Sequence, residues 1–153
     1  MKRTLFLCIG NAGLFTLIGL AFLYPFSGVS QMDTGFQGSV TIFPFLLIAY
    51  LIAYPAIHYV LAKKYHWGEK DNSELAYSDE REKAIVAEST KIAYMVLVGG
   101  LIFAIAIIGS VKFFSLSTGM YISIYSTSIA LLTALLDMAT ISYCVKWCWE
   151  YRK

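Results

Sequence analysis

Residues Asp71 to Lys91, DNSELAYSDEREKAIVAESTK, form a charged stretch in a chain that is otherwise strongly apolar. Of the 153 residues, 58% are hydrophobic and 14% are charged. In soluble domains the charged fraction is about one quarter. A soluble core could not bury this apolar surplus, so we interpret the charged stretch as a segment that separates two membrane-embedded halves.

Four apolar tracts flank this stretch, and each reaches the roughly 20 residues that a helix needs to cross a hydrocarbon core of about 30 Å. They are predicted at residues 4–24, 40–62, 92–114 and 119–143. The first tract follows Lys2 and Arg3, as in a secretory signal, but it is too long and no small-x-small cleavage site follows it. The sequence therefore predicts an all-α integral membrane protein, a single domain over residues 1–153 that folds as an antiparallel four-helix transmembrane bundle.

The basic residues predict which side of the membrane each end occupies, because cytoplasmic segments beside spans are rich in Lys and Arg. With four spans, both termini and the charged stretch fall on one side. That side holds Lys2, Arg3, Lys63, Lys64, Lys70, Arg81, Lys83, Lys91, Lys146, Arg152 and Lys153, and the other side holds Lys112. We expect a multi-pass plasma-membrane protein with cytoplasmic termini, and we interpret the basic residues as membrane anchors rather than a nucleic-acid surface.

Within the cytoplasmic segment 63–91, the sequence changes from a loop to a helix. Asp79 and Glu82 have the spacing of a capping box, with Asp in place of the usual Ser or Thr, and acidic residues suit the first turn of a helix. Neither Gly nor Pro follows before Gly99. We therefore expect the third helix to begin near Asp79 and to project about three turns into the cytoplasm before it enters the membrane near Lys91.

The block Asp79-Glu80-Arg81-Glu82, followed by Ile85 and placed just before the third of four spans, resembles a group of small membrane proteins of Gram-positive bacteria. These are the uncharacterised four-helix proteins grouped as DUF2178 and its relatives. Their four-span plan covers the whole chain. Since these families have no established chemistry, the resemblance implies an architecture and no mechanism.

One polar side chain from each helix is predicted to lie in a common layer near the cytoplasmic face. The four are Asn11, His58, Tyr94 and Asp137. Counted from the predicted cytoplasmic span ends, His58 lies about 6 Å and Asp137 about 9 Å inside the membrane. We expect these two to face each other or to share a water. An ionisable residue within a span is a functional candidate by default. The same layer also fits a purely structural cluster of hydrogen-bonded polar side chains that sets the helix register.

Three- and four-residue spacings predict two helix faces. Tyr50, Tyr54 and His58 form one stripe of the second helix. In the fourth helix, a small and polar seam that includes Thr133, Asp137 and Cys144 is expected to face its neighbours, because hydroxyl groups can bond across helices there. Glycines in the first helix predict a close neighbour for it as well.

No motif in the sequence indicates catalysis: it lacks Gly-x-Ser-x-Gly, a glycine-rich phosphate loop and Cys-x-x-Cys. Cys8, Cys144 and Cys148 are expected at the reducing cytoplasmic side, which excludes a disulfide framework. A metal site from Cys144, Cys148 and His66 is an alternative that the spacing does not favour. We therefore expect no enzymatic activity, no cofactor and no bound metal.

Two functions fit these observations. The first is an accessory, regulatory or immunity-type subunit that acts by protein contacts within the membrane and through the cytoplasmic helix Asp79–Lys91. In the alternative interpretation of this helix, it is solvated and merely anchors the third span. The partners of the subunit are membrane lipid and another membrane or cytoplasmic protein or a second copy of the chain. The predicted partner-binding residues are Asp79, Glu80, Arg81, Glu82, Ile85 and Glu88. The second function is a small oligomeric transporter or channel that uses Asp137 and His58.

Overall fold

The computed structural model describes residues 2–32, 35–65, 80–118 and 123–153. In this part of the chain, four long helices and one β-hairpin follow each other. They are α1 (Lys2–Leu23), β1 (Phe26–Met32), β2 (Gly35–Val40), α2 (Ile42–Lys64), α3 (Glu80–Thr118) and α4 (Ile124–Arg152). Each of the four helices is long and apolar enough to cross a membrane. The predicted four-helix architecture is confirmed at this level.

Helix α3 is a single helix of 39 residues that passes through Lys91 without interruption. This confirms the predicted continuity between the charged segment and the third apolar tract. The predicted capping residue Asp79 lies outside the described residues, and the helix begins at Glu80 with Glu80 and Glu82 in its first turn. Acidic side chains at this position are favourable because they face the positive end of the helix dipole.

Helix α4 extends to Arg152, well beyond the predicted span end at residue 143. Its first turn is capped by Ser123, whose hydroxyl accepts a hydrogen bond from the backbone N–H of Ser126 at 3.3 Å. Polar residues such as Lys146 and Glu150 continue the helix after the apolar tract ends, and they pair with each other at 2.7 Å. The hydropathy of the sequence marked the end of the apolar tract, not the end of the helix.

The segment between α1 and α2 forms an antiparallel hairpin. Its register runs from Phe26 opposite Val40 to Met32 opposite Gly35, with an irregularity between Ser27 and Ser30. At its base, Thr41 ties the end of α1 to the start of α2: its hydroxyl donates to the Tyr24 carbonyl, and its N–H donates to the Pro25 carbonyl at 3.0 Å. Strand pairing satisfies those backbone polar groups of this segment that face the partner strand.

The helices lie in a row with the spatial order α2, α1, α4, α3. Helix α2 packs on α1, α1 on α4 and α4 on α3, and no other pair of described helices packs closely along its length. Neighbours are antiparallel, so Lys2, Lys64, Glu80 and Arg152 all lie at one end of the row, which we call the terminal end. The bundle is therefore an open layer with α1 and α4 at its centre and α2 and α3 at its edges.

Buried side chains are concentrated on the two central helices and on α3. None of the side chains of α2, which the structure describes in full, is buried. The least exposed residues of the described part are Ser89 and Trp147, with 0% and 2% of their surface exposed. Further along the same contact, Gly100 lies directly against the Leu135 side chain. The contact between α3 and α4 is thus closest-packed toward the terminal end.

Candidate functional site: the seams of the central helices

The small and polar seam of α4 faces α1, as the spacing predicted. A Cβ atom added at Gly19 would lie 2.6 Å from Thr133 Cγ2, so the two backbones approach each other closely here. One turn further, the Thr16 hydroxyl donates a hydrogen bond to Asp137 Oδ2 at 3.0 Å. Toward the terminal end, the Cys8 thiol is within hydrogen-bonding reach of Cys144. We call this contact the central seam.

Asp137 lies near the middle of the central seam rather than near its terminal end. Its partner Thr16 is about 4 Å along the helix axis from the midpoint of the apolar segment Thr4–Leu23. The second carboxylate oxygen, Oδ1, is buried and has no hydrogen-bond partner among the described residues. A half-satisfied carboxyl group at this depth is costly, and it is the most unusual polar group of the seam.

The prediction that Asp137 and His58 face each other is wrong. His58 lies on the other side of α1, where its ring stacks on Phe6 with ring centroids 6.1 Å apart. Phe6 and Thr16 are ten residues apart on α1, so His58 and Asp137 differ in depth by about 15 Å. The error came from taking residue 143 as the end of the fourth helix, since α4 continues to Arg152 and Asp137 is near its middle.

The stripe of Tyr50, Tyr54 and His58 faces α1 and forms an aromatic stack with Phe6. Tyr50 and Tyr54 have centroids 5.5 Å apart, and Tyr54 and Phe6 have centroids 5.6 Å apart. The Tyr54 ring occupies the space beside Gly10, and the Tyr50 hydroxyl donates to the Gly10 carbonyl at 2.7 Å. The prediction of one stripe is confirmed, and its function in the structure is to bind α2 to α1. We call this contact the aromatic seam.

The other two members of the predicted layer do not join either ionisable residue. Tyr94 is 66% exposed on the outer face of α3, and Asn11 is exposed on α1. The structure therefore separates all four residues of the proposed cluster into different environments. Asp137 and His58 each have a buried side-chain atom within a helix contact, but the two contacts are on different sides of α1.

The three cysteines, one from α1 and two from α4, come together in the central seam. Cys8 is buried, and both Cys8 and Cys148 interact with Cys144. The described residues contain no group of three His, Cys, Asp or Glu side chains arranged to hold a metal ion, and His66 lies outside them. The sequence showed that Cys144 and Cys148 share a helix face, but nothing in it linked Cys8 to them, because the pairing of α1 with α4 could not be read from local spacing.

The predicted partner-binding residues fall into four groups. Glu80, Arg81 and Glu88 are exposed, Glu82 is half-buried, and Asp79 lies outside the described residues. Ile85 is only 7% exposed, so the prediction that it contacts a partner is wrong. It lies one turn from Ser89 on the buried face of α3, opposite the exposed charges, and Glu88 in the same segment interacts electrostatically with Lys146 of α4.

Beyond the predicted fourth span, charged side chains of α4 pair with each other. Glu150 accepts hydrogen bonds from Lys146 at 2.7 Å and from Lys153 at 3.2 Å. These two bonds hold the pKa of Glu150 below its ordinary value of 4.5. The terminal end of α4 therefore carries charges of both signs side by side.

In comparisons with known proteins, no family model, no curated protein and no solved structure matches the chain. The resemblance to small four-helix membrane proteins of Gram-positive bacteria stays a prediction from the Asp79–Glu82 block.

Proposed function

We propose that the protein is an accessory, regulatory or immunity-type subunit of the plasma membrane, with both termini in the cytoplasm, that acts by binding another protein. One observation carries this proposal: the most deeply buried side chains of the described part, Ser89 and Trp147, lie at the terminal end of α3 and α4. A solvated helix that merely anchored the third span would need no such packing. A rigid support for exposed charges does need it.

The burial of apolar side chains is favoured most strongly where they would otherwise be exposed to water. Apolar side chains gain free energy by leaving water, about 1.5–3 kcal/mol for a fully buried side chain such as isoleucine, and gain nothing comparable by leaving lipid. Ile85, near the start of α3, is therefore well placed to stabilise the part of the helix pair that reaches the membrane–water boundary. Its burial supports the face of α3 that carries Glu80, Arg81 and Glu88.

The distribution of basic residues supports the cytoplasmic assignment of this end. In the described part, the terminal end carries Lys63, Lys64, Arg81, Lys83, Lys91, Lys146, Arg152 and Lys153. Lys112 lies at the opposite end of the row. Such a difference favours the terminal end as the cytoplasmic one.

Charge reversal on the exposed face of α3 tests the proposal. The protein is affinity-purified in a mild detergent as the wild type, as Glu80→Lys combined with Arg81→Glu, and as Lys112→Glu, a control at the other end of the row. We expect a protein that co-purifies with the wild type and the control to be lost from the double variant. Recovery of the chain alone, or of the same proteins with the wild type and both variants, would count against a partner at this face.

A second candidate function, an oligomeric transporter or channel, is favoured by Asp137. Its buried, half-satisfied carboxyl group near the middle of the central seam is the kind of group that transport pathways use. His58 lies about 15 Å from it along the helix axis, so a path would use Asp137 without His58. Ion flux into proteoliposomes, measured for the wild type and for Asp137→Asn, tests this function. No flux with the wild-type chain would rule it out.

A further inference from the structure

A groove runs along the surface between α3 and α4. It has a volume of about 640 Å³ and is lined by Val96, Met138, Ile141, Val145, Lys146 and Trp149, among others. Volumes of roughly 300–1,000 Å³ are typical of sites for small organic ligands. The lining residues of α4 recur every three or four positions, so they form one continuous stripe of the helix.

The groove is apolar along most of its length and charged at one end. Met138, Ile141 and Val145 are more than half exposed to the surroundings of the row. The Ser142 hydroxyl, which also borders the groove, is already bonded to the Ala139 carbonyl at 2.8 Å. Lys146 and Trp149 stand at the terminal end, where an aromatic ring and an ammonium group are characteristic of a membrane–water interface.

The length and depth of the groove match one leaflet of a bilayer. Met138 follows Asp137, which lies near the middle of the membrane-length segment, and Trp149 is eleven residues further along α4. The distance between them along the helix is therefore about 16 Å. Half of a hydrocarbon core of about 30 Å is nearly the same length.

The charged end offers both signs of charge. Lys146, which lines the groove, donates to Glu150 at 2.7 Å, and Glu150 also accepts from Lys153 at 3.2 Å. A purely anionic headgroup at Lys146 would meet the Glu150 carboxylate beside the one ammonium group that lines the groove. A headgroup with a phosphate and a primary ammonium group fits better, because the phosphate can take a bond from Lys146 while the ammonium group donates to Glu150.

We infer that this groove is a binding site for a phosphatidylethanolamine-type lipid. An acyl chain lies along Val96, Met138 and Val145, and the phosphoethanolamine group is bound between Lys146 and Glu150. The site does not depend on the proposed protein partner, because it is formed by the chain alone.

Lipid retention by the purified full-length chain tests the headgroup assignment. The protein is extracted from vesicles of equimolar phosphatidylethanolamine, phosphatidylglycerol and phosphatidylcholine with identical acyl chains, washed with mild detergent, and its retained lipids are quantified by mass spectrometry. We expect phosphatidylethanolamine to be enriched roughly two- to fivefold, the range that exposed ion pairs provide. Glu150→Gln should abolish the enrichment and favour phosphatidylglycerol, whereas Lys112→Gln, an exposed control at the other end of the row, should change nothing.

A second pair of variants tests the acyl-chain part of the site. Ile141→Trp fills the groove, and Ile102→Trp makes the same change on the outer face of α3, where Ile102 is 66% exposed. We expect Ile141→Trp alone to lose the retained lipid, with circular dichroism and gel filtration showing that both variants are folded. Retention of the three lipids in proportion to their supply would overturn the inference, as would equal loss from both tryptophan variants or equal lipid selectivity of Glu150→Gln and Lys112→Gln. If Ile141→Trp does not fold, the comparison of the two glutamine variants decides alone.

Discussion

Helix α1 has two contact faces. Both use glycines for a close approach, but the side chains that pack there differ in chemistry. Toward α2, the space beside Gly10 and Gly13 receives the rings of Tyr54 and Tyr50. Toward α4, Gly19 allows Thr133 to approach, and hydroxyl, carboxyl and thiol groups meet along the rest of the contact. In both seams a glycine admits the neighbour, but the side chains that enter are aromatic in one and small and polar in the other.

This difference separates a peripheral contact from a central one. Stacked rings gain from dispersion and can do so at the edge of the row, where α2 has no buried side chain among its described residues. A carboxyl group needs shielding and a donor, and Asp137 finds both between the two central helices. We therefore expect the central seam to contribute more to stability than the aromatic seam.

The largest effect is expected from Gly19→Ala, which puts a methyl group 2.6 Å from Thr133 Cγ2. Overpacking of this kind typically costs about 1–3 kcal/mol. The matched control is Gly99→Ala, where the added methyl group has no neighbour within 4 Å among the described residues. Unfolding in mixed micelles measures both. A loss of stability that is equal in the two variants would show that the close approach at Gly19 is not needed.

The next effect is expected from Thr16→Val, which removes the donor to Asp137 and leaves both carboxyl oxygens without a partner among the described side chains. A buried polar group left unpaired costs about 1–3 kcal/mol, and bonds between membrane helices are at the low end of such values. We expect a loss of about 1 kcal/mol. Thr90→Val, at an exposed site of α3, is the control. Unchanged unfolding of Thr16→Val would mean that Asp137 is satisfied in another way.

The smallest effect is expected from Tyr50→Phe, which keeps the ring stack and removes the bond to the Gly10 carbonyl. Double-mutant measurements on membrane helices average about 0.6 kcal/mol for one such bond. Tyr59→Phe, where the tyrosine is 69% exposed, is the control. If Tyr50→Phe destabilised the protein more than Thr16→Val, the ranking of the two seams would be reversed.

A fourth experiment sharpens the register of the central seam. In Cys148→Ser, mild oxidation should join Cys8 and Cys144, which mass spectrometry detects as the loss of two hydrogen atoms within one chain. A disulfide requires the two Cα atoms to lie within about 7 Å of each other, so the bond reports the pairing of α1 with α4. In Cys144→Ser we expect no such product. A disulfide formed in Cys144→Ser and not in Cys148→Ser would show that α1 and α4 pair in a different register.

Local patterns in the sequence were sufficient for the helices and for the faces of α2 and α4 that contact α1. Apolar length predicted four helices, the absence of Gly and Pro before Gly99 predicted a continuous α3, and four-residue spacing placed Tyr50, Tyr54 and His58 on one face. The spatial order of the helices could not be read from such patterns, because it depends on contacts between residues far apart in the chain, such as Thr16 with Asp137.

The errors at the site follow from that missing order. Placing His58 and Asp137 in one layer assumed that all four helices met, whereas α1 lies between the helices that carry them. Ile85 was assigned to a partner as an apolar residue of an exposed recognition surface, but the buried face of α3 continues past the apolar tract to Ile85 and Ser89. Hydropathy averaged over a window does not show a buried stripe within a charged helix.

The order of the row has a consequence for how the protein is assembled. Helices α1 and α2 are consecutive in the chain and adjacent in space, and so are α3 and α4, while the central seam is the close contact between these two pairs. Each pair is thus a helical hairpin that can insert before the other is made. Two separately expressed fragments, one ending after Tyr65 and one beginning before Glu80, should therefore reassociate in the membrane through Gly19, Thr133 and the Thr16–Asp137 bond.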